Sequence, residues 1–304
     1  MKGKIILVVL CVLVLTGCIC AFFYFTGDRK EEEISVEPIF TLENIPTIDA
    51  STATHNLANA LIANFTGKEV PEDIEYTTTH PAYVKLINGE VDLIIVTEPS
   101  EEELELAKGK NIELEVIPVV REGFVFFVNE ENPVKSLTIE QIQKIYSGEI
   151  KNWKDVNGND KEIKAYQRPP NSGSQTGMLS LVMKDKKMMN ALTENIAQSM
   201  ADIINLVSDY DNAENAIGYS YYYYARTMYE DIDSAVANSI RLLGVDGIAP
   251  SVETIKNGEY KLQTSYYIVV NKNNEDSNVR KFINEALSER GQKVAEEAGY
   301  VGIK

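Results

Sequence analysis

From about residue 45 onward, short apolar runs alternate with amphipathic stretches, the spacing of an α/β chain. Thr47-Ile48-Asp49 predicts a strand, and Leu57, Leu61, Ile62 and Phe65 then fall on one helical face. Gly67 marks the end of that helix. Tyr83, Val84 and Ile87 predict a second short helix stopped at Gly89. Asp92-Leu93-Ile94-Ile95-Val96 is a continuous apolar strand of the kind buried on both faces. Ile112, Leu114 and Val116 alternate with Glu113 and Glu115, as a half-exposed strand does, and residues 124–128 (Phe-Val-Phe-Phe-Val) predict another strand.

Beyond Asn132-Pro133, Thr138-Ile139-Glu140-Gln141 is a capping box opening a helix whose inner face carries Ile142 and Ile145, with Gly148 after it. Residues 163–166 predict a strand, followed by a loop rich in Ser, Gly and Asn and an apolar helix over 178–183. Ile203, Leu206 and Val207 mark another helix, and Ala216-Ile217-Gly218-Tyr219 another strand. Residues 266–270 are a late buried strand, and Phe282, Ile283, Ala286 and Leu287 belong to a terminal helix.

The first residues are a different material. Lys2 and Lys4 precede an almost wholly apolar run over 5–25, which reads as an export signal. Leu15-Thr16-Gly17-Cys18 fits the lipobox of bacterial lipoproteins, with Cys18 as the acylated residue. The run continues past Cys18, so a single N-terminal transmembrane helix is the competing anchor. Both anchors place the body outside, because the basic end stays in the cytoplasm. Cys11, Cys18 and Cys20 all lie here, so the body has no internal disulfide and no cysteine metal site. The domain reading is an anchor over 1–27, an acidic tether over 28–42, a first lobe over 43–128 plus 245–304, and a second over 129–244. A length of 304 residues suits two α/β lobes and an anchor.

Composition changes the picture in one respect. The net charge of −17, or −19 once Lys2 and Lys4 are lost, repels nucleic acid and anionic headgroups, so nucleic acid is excluded as a partner. The same field repels a diffusing anion, so any oxyanion site must rest on local donors.

Three small-polar clusters supply such donors: Ser51-Thr52, Thr77-Thr78-Thr79 and Asn171-Ser172-Gly173-Ser174, each directly before a predicted helix. A helix start offers unpaired N–H groups, so these hydroxyls either cap the helix or donate to an anion. Arg168, just before the third cluster, carries a planar fork of donors matched to tetrahedral oxyanions. Its alternative is a surface arginine.

On these residues the chain resembles the phosphate-binding proteins of Pst-type ABC importers, within the two-lobed periplasmic-type binding proteins. The likeness covers about residue 45 to the C-terminus. Its sharpest parts are Asp49-Ala50-Ser51-Thr52-Ala53-Thr54, Gly89-Glu90-Val91-Asp92-Leu93 and the segment 166–176 around Arg168 and Ser172-Gly173-Ser174. Asn215-Ala216-Ile217-Gly218-Tyr219 and Glu289-Arg290-Gly291-Gln292-Lys293 are also similar. The resemblance implies a type II-like two-lobed α/β fold with two hinge crossovers and the ligand between the lobes. It implies that Ser51, Thr52 and Thr79 bind from the first lobe, and Arg168, Ser172, Gly173 and Ser174 from the second. Thr97 is the departure, since the family places there an aspartate that accepts the proton of hydrogen phosphate and rejects sulfate. The implied partners are inorganic phosphate or a similar oxyanion, ABC permease subunits and the membrane, with the protein acting as a monomer and needing no cofactor.

Other features read as structural. His55 and His80 lack a carboxylate pattern and make no metal site; packing, with a peripheral ligand contact as the alternative, is their reading. The tyrosines over 221–224 read as alternating burial in a strand or the following helix, against a sugar-stacking platform. Glu101, Glu102, Glu103 and Glu105 read as a solvated helix face, and Trp153 as packed under a loop. No Gly-x-Ser-x-Gly elbow and no cysteine nucleophile is present in the body, so an exported hydrolase is the weak alternative and no catalytic residue is assigned. A non-transport anion sensor on the same fold is the stronger one.

Overall fold

The computed structural model describes residues 37–304 except Asp73. The export signal, the Cys18 lipidation site, the transmembrane alternative and most of the tether lie outside the described residues. The body runs from Pro38 to Lys304. It begins earlier than the expected boundary near residue 43. Phe40 is buried against Phe65 and Phe282, and the N–H groups of Ile39 and Phe40 donate to the Phe65 carbonyl, so the end of the expected tether is part of the fold. No helix among the described residues is long and apolar enough to cross a membrane.

In chain order, β1 (Ile48–Ala50) leads to α1 (His55–Thr66), α2 (Thr79–Asn88), β2 (Leu93–Val96), α3 (Glu101–Gly109) and the 16-residue β3 (Leu114–Asn129). Then come β4 (Ser136–Leu137), α4 (Ile139–Ser147), β5 (Lys164–Ala165), α5 (Gly173–Gly177), α6 (Met200–Ser208) and β6 (Ala216–Tyr221). The chain returns through β7 (Ile240–Leu242) and β8 (Gly244–Val245) to β9 (Gln263–Asn271), α7 (Ser277–Ala286), α8 (Glu289–Glu297) and β10 (Val301–Gly302).

The main sheet has the order β1-β2-β9-β3-β6-β5, with β10 and β7 also on β3. β1 and β2 are parallel, as are β5 and β6, and the strands between them pair antiparallel. The two strands expected around 112–116 and 124–128 are one element. Its first part, to Gly123, pairs with β9, and from Phe124 it pairs with β6. Pro118, which has no N–H to give the ladder, sits where the register shifts, as a strand proline should. The fold is the two-lobed α/β arrangement expected from the sequence, one long strand running from the first half of the sheet into the second.

Burial explains why β2 is apolar without alternation. Leu93 and Ile95 face the main core, while Ile94 and Val96 face a smaller cluster with Ala82, Tyr83, Leu86 and Ile87 of α2 and Ala107 of α3. Both faces are covered by helices, so no position along the strand meets water. Trp153 is wholly buried, with its indole N–H donating to the Asn215 carbonyl at 2.9 Å.

Candidate anion-binding cleft

The C-terminal ends of β1 and β2 and the starts of α1, α2, α5 and α6 converge on one cavity of about 450 Å³. Crevices at strand C-terminal ends are where open α/β sheets bind ligands. All eight residues expected at a site line it: Ser51, Thr52, Thr79, Thr97, Arg168, Ser172, Gly173 and Ser174. Gln198, Ser199, Met200 and Ala201 at the start of α6, together with His80, Tyr221 and Tyr224, line it as well. Among the described residues no Asp or Glu does.

The capping alternative fails for two of the three clusters. α1 and α2 start at Thr54 and Thr78 without a side-chain cap hydrogen bond. Ser51 Oγ instead pairs with Thr54 Oγ1, and Thr77 is tied to the buried Asp49, which accepts from Thr77 N at 2.8 Å and Thr77 Oγ1 at 2.7 Å. Asp49 also meets Lys85 at 3.1 Å, so its carboxylate fixes the loop before α2 and stays out of the cavity. Only the third cluster caps: Ser172 Oγ accepts from Gln175 N at 3.3 Å. That bond uses a lone pair and leaves the Ser172 proton for another acceptor.

Arg168 is a buried residue, not a surface one, at 8% exposure. Its Nε donates to the Ala197 carbonyl at 2.9 Å and Nη2 to the Gln198 carbonyl at 3.3 Å. Its backbone N–H donates to Tyr219 Oη and Gln175 Oε1. Nη1 has no partner. Burial lowers the guanidinium from its ordinary value, yet arginine remains charged at any physiological pH. Ser174 Oγ and Thr97 Oγ1 are likewise buried without a partner. Three orphaned polar groups around one cavity, each carrying a desolvation cost of about 1–3 kcal/mol, call for a polar occupant.

Gly173 is the closest approach across the cleft. A Cβ there would stand 2.5 Å from Thr97 Oγ1 and 2.8 Å from Thr79 Oγ1, so only glycine lets the two sides meet. Tyr221, buried in β6, donates to the Gly173 carbonyl at 2.9 Å and so fixes the same turn. Tyr223 stacks on Tyr300 at 3.7 Å, whereas Tyr221 and Tyr224 line the cavity; Tyr221, Tyr223 and Tyr224 are all buried and Tyr222 is half-buried, so the run does not show the alternating burial expected.

One expectation on the cleft wall is corrected. Glu103 is fully buried and not part of a solvated face. Glu101, Glu102 and Glu105 are exposed; Glu102 accepts from Asn171 Nδ2 across the cleft mouth. Glu98 accepts from Ser180 Oγ and does not line the cavity. The α6 start was missed by sequence reading, although Ser199-x-x-Asp202 ahead of Ile203, Ile204 and Val207 is a capping box there too. That pattern marks a helix start but not which cavity it faces.

A two-lobed α/β body with a donor-lined cleft between its halves is the architecture of solute-binding proteins. The chain belongs to the PBP superfamily, whose domain model matches residues 43–290. Among curated relatives it is 32% identical to the phosphate-binding protein PstS of Staphylococcus haemolyticus over 73% of this chain and 69% of that one. It is 31% identical to PstS of Borreliella burgdorferi, over 60% of this chain and 64% of that one, and so spans under two thirds of that relative's length. A Clostridium perfringens protein assigned as a phosphate ABC transporter substrate-binding protein, solved with phosphate bound, is 25% identical with a TM-score of 0.66, covering 86% of this chain and all of that one. An ABC-type phosphate transport receptor from Vibrio cholerae shares the fold at a TM-score of 0.62 and 24% identity, over 84% of this chain and 98% of that one.

Proposed function

We propose that the chain is an extracytoplasmic solute-binding protein that captures inorganic phosphate for an ABC importer. The observation carrying this reading is the set of orphaned donors, Arg168 Nη1, Ser174 Oγ and Thr97 Oγ1, around a cavity that no Asp or Glu among the described residues lines. A tetrahedral oxyanion would satisfy all three at once. The names of the relatives support the choice of phosphate. In this reading Ser51, Thr52, Thr79 and Thr97 bind from the first lobe, and Arg168, Ser172, Gly173 and Ser174 from the second. The lobes are 43–128 with 245–304, and 129–244. The partner switch on β3 supports a first crossover at Gly123–Phe124, ahead of residue 128, and a return near 243–248. Lipid on Cys18 would hold a monomeric body at the outer membrane face beside its permease.

Calorimetry of the full-length protein in detergent with phosphate, sulfate, molybdate and arsenate tests the reading. Phosphate should bind, and Arg168→Ala should weaken it by about 2–4 kcal/mol. Binding of a sugar, peptide or amino acid with no oxyanion binding would overturn it.

A further inference from the structure

Two hydrogen bonds join the walls of the cleft outside the cavity that the anion would fill. Asn171 Nδ2 donates to Glu102 Oε2, and Ser180 Oγ donates to Glu98 Oε1. Glu98, Glu102 and Ser180 do not line that cavity. The partners hang from opposite parts of the sheet. Glu98 and Glu102 follow β2, whereas Asn171 and Ser180 follow β5, and β9, β3 and β6 stand between those two strands. Each bond also lies beside residues that do line the cavity: Glu98 follows Thr97, Asn171 precedes Ser172, and Ser180 comes just beyond α5, which starts at Gly173.

Around these bonds the walls do not pack. A second cavity of about 700 Å³ lies between them, lined on one side by Pro99 and Glu105 and on the other by Leu179 and Lys184. Leu179 is 45% exposed and so makes no apolar seam with α3. Glu102 and Ser180 are exposed, and Glu98 and Asn171 are half-buried. An apolar seam would hold the walls together whether or not an anion lay between them. Polar groups that water reaches exchange protein partners for solvent at little net cost, so contacts of this kind bias an equilibrium without locking it.

We infer that Glu98 and Glu102, with Ser180 and Asn171, form a latch that holds the cleft closed over the bound anion and slows its release. The inference rests on the oxyanion reading above. The close approach of Gly173 to Thr97 and Thr79 needs the same two segments to be together. An anion held by Thr97 from one wall and Ser174 from the other draws those segments in, and the two outer bonds form with that movement. For the anion to leave, the walls must part and both bonds must open. Entry is through the open form, where neither bond exists, so the latch acts on release and not on association. Glu98, Glu102 and Ser180 are thus positioning residues, acting on the anion through closure.

The test is a pair of rates on the full-length protein in detergent: release of radiolabelled phosphate into an excess of unlabelled phosphate, and association on mixing. Ser180→Ala removes one donor without changing the charge of the mouth. It should speed release about threefold to tenfold and leave association unchanged. Ser180→Thr keeps the hydroxyl and should release phosphate at the parent's rate. In a Glu98→Ala background, Ser180→Ala should have no further effect, because the two residues share one bond. Glu102→Ala opens the other bond and should speed release in both the parent and Ser180→Ala. Release at the parent's rate from both Ser180→Ala and Glu102→Ala, or a change confined to association, would overturn the inference while phosphate still binds. Failure of the parent to bind any oxyanion would instead remove the reading beneath it.

Discussion

In the proposed phosphate site, Thr97 is the residue that would set which anion the cleft prefers. Its hydroxyl is buried, unpartnered and in reach of Gly173, and the Thr97 carbonyl accepts from Tyr83 Oη at 2.8 Å, which fixes the backbone that carries it. A hydroxyl donates as readily as it accepts. A carboxylate at this position would accept the proton of hydrogen phosphate, but would face sulfate with like charge and no hydrogen between them. The chain should therefore prefer phosphate over sulfate only weakly, and Thr97→Asp should widen that preference by about tenfold or more, since an uncompensated buried charge contact costs several kcal/mol. Competition of sulfate against phosphate in parent and variant measures this. Complete rejection of sulfate by the parent, unchanged in the variant, would mean that discrimination resides elsewhere.

Among the elements, the helix starts divide into two kinds. α3, α4 and α6 open with reciprocal capping boxes: Ser100 with Glu103, Thr138 with Gln141 and Ser199 with Asp202. α1 and α2, at the cleft, open with no side-chain cap bond although hydroxyls stand at their first positions. Hydroxyls committed to caps contribute to stability; Thr79 Oγ1, at the cavity wall and outside any cap, is available to a ligand, whereas Thr54 Oγ1 at the α1 start is spent on Ser51 and the Ile95 carbonyl. Thr138 Oγ1 accepts from Gln141 N at 3.1 Å, and the Gln141 side chain accepts from Thr138 N at 2.9 Å, far from the cavity lining. Thr138→Ala should lower unfolding free energy by about 1 kcal/mol and leave anion affinity unchanged. Urea unfolding beside a binding isotherm checks both halves of that statement. A loss of affinity would show that α4 is coupled to the cleft.

For the whole molecule, the sensitive point is the place where β3 changes partners. Glu122 is 2% exposed there, and its Oε1 accepts from Gly123 N at 2.8 Å and Tyr223 N at 3.2 Å, tying the crossing strand to the segment after β6. Burial pushes its carboxyl up to about 7, against the lowering effect of those N–H groups. The folded state thus holds this proton more tightly than the unfolded chain, where the ordinary value is 4.5. Its contribution to stability is complete below about pH 4.5 and is lost as pH rises through about 7, by about 3 kcal/mol in all. Glu122→Gln keeps an acceptor oxygen and removes the titration, so it should be more stable than the parent above about pH 7.5 and show a shallower fall between about pH 5 and 7.5. Denaturant midpoints across that range provide the comparison, and parallel curves would remove Glu122 as the cause.

Periodicity and punctuation in the sequence determined most of the local structure. The apolar face of α1, the Gly67, Gly89 and Gly148 stops with positive φ, the doubly buried β2 and the capping box of α4 are each set by residues within a few positions of one another. The hydroxyl clusters and Arg168 could be named for the same reason, because helix starts and a forked cation carry their chemistry in their own side chains. Three things only the tertiary structure decided. Leu114 through Asn129 became one strand because β9 and β6 offer edges to its two halves in turn, and no local pattern encodes a partner that lies a hundred residues away. Glu103 left the solvated face because the imidazole of His80 and the Ser100 cap lie on its side of α3, a matter of how α2 packs on α3. The start of α6 joined the cleft because Arg168 clamps the carbonyls of Ala197 and Gln198. Short-range order follows from side-chain period and backbone preference, whereas the company a polar group keeps follows from which surfaces the core brings together.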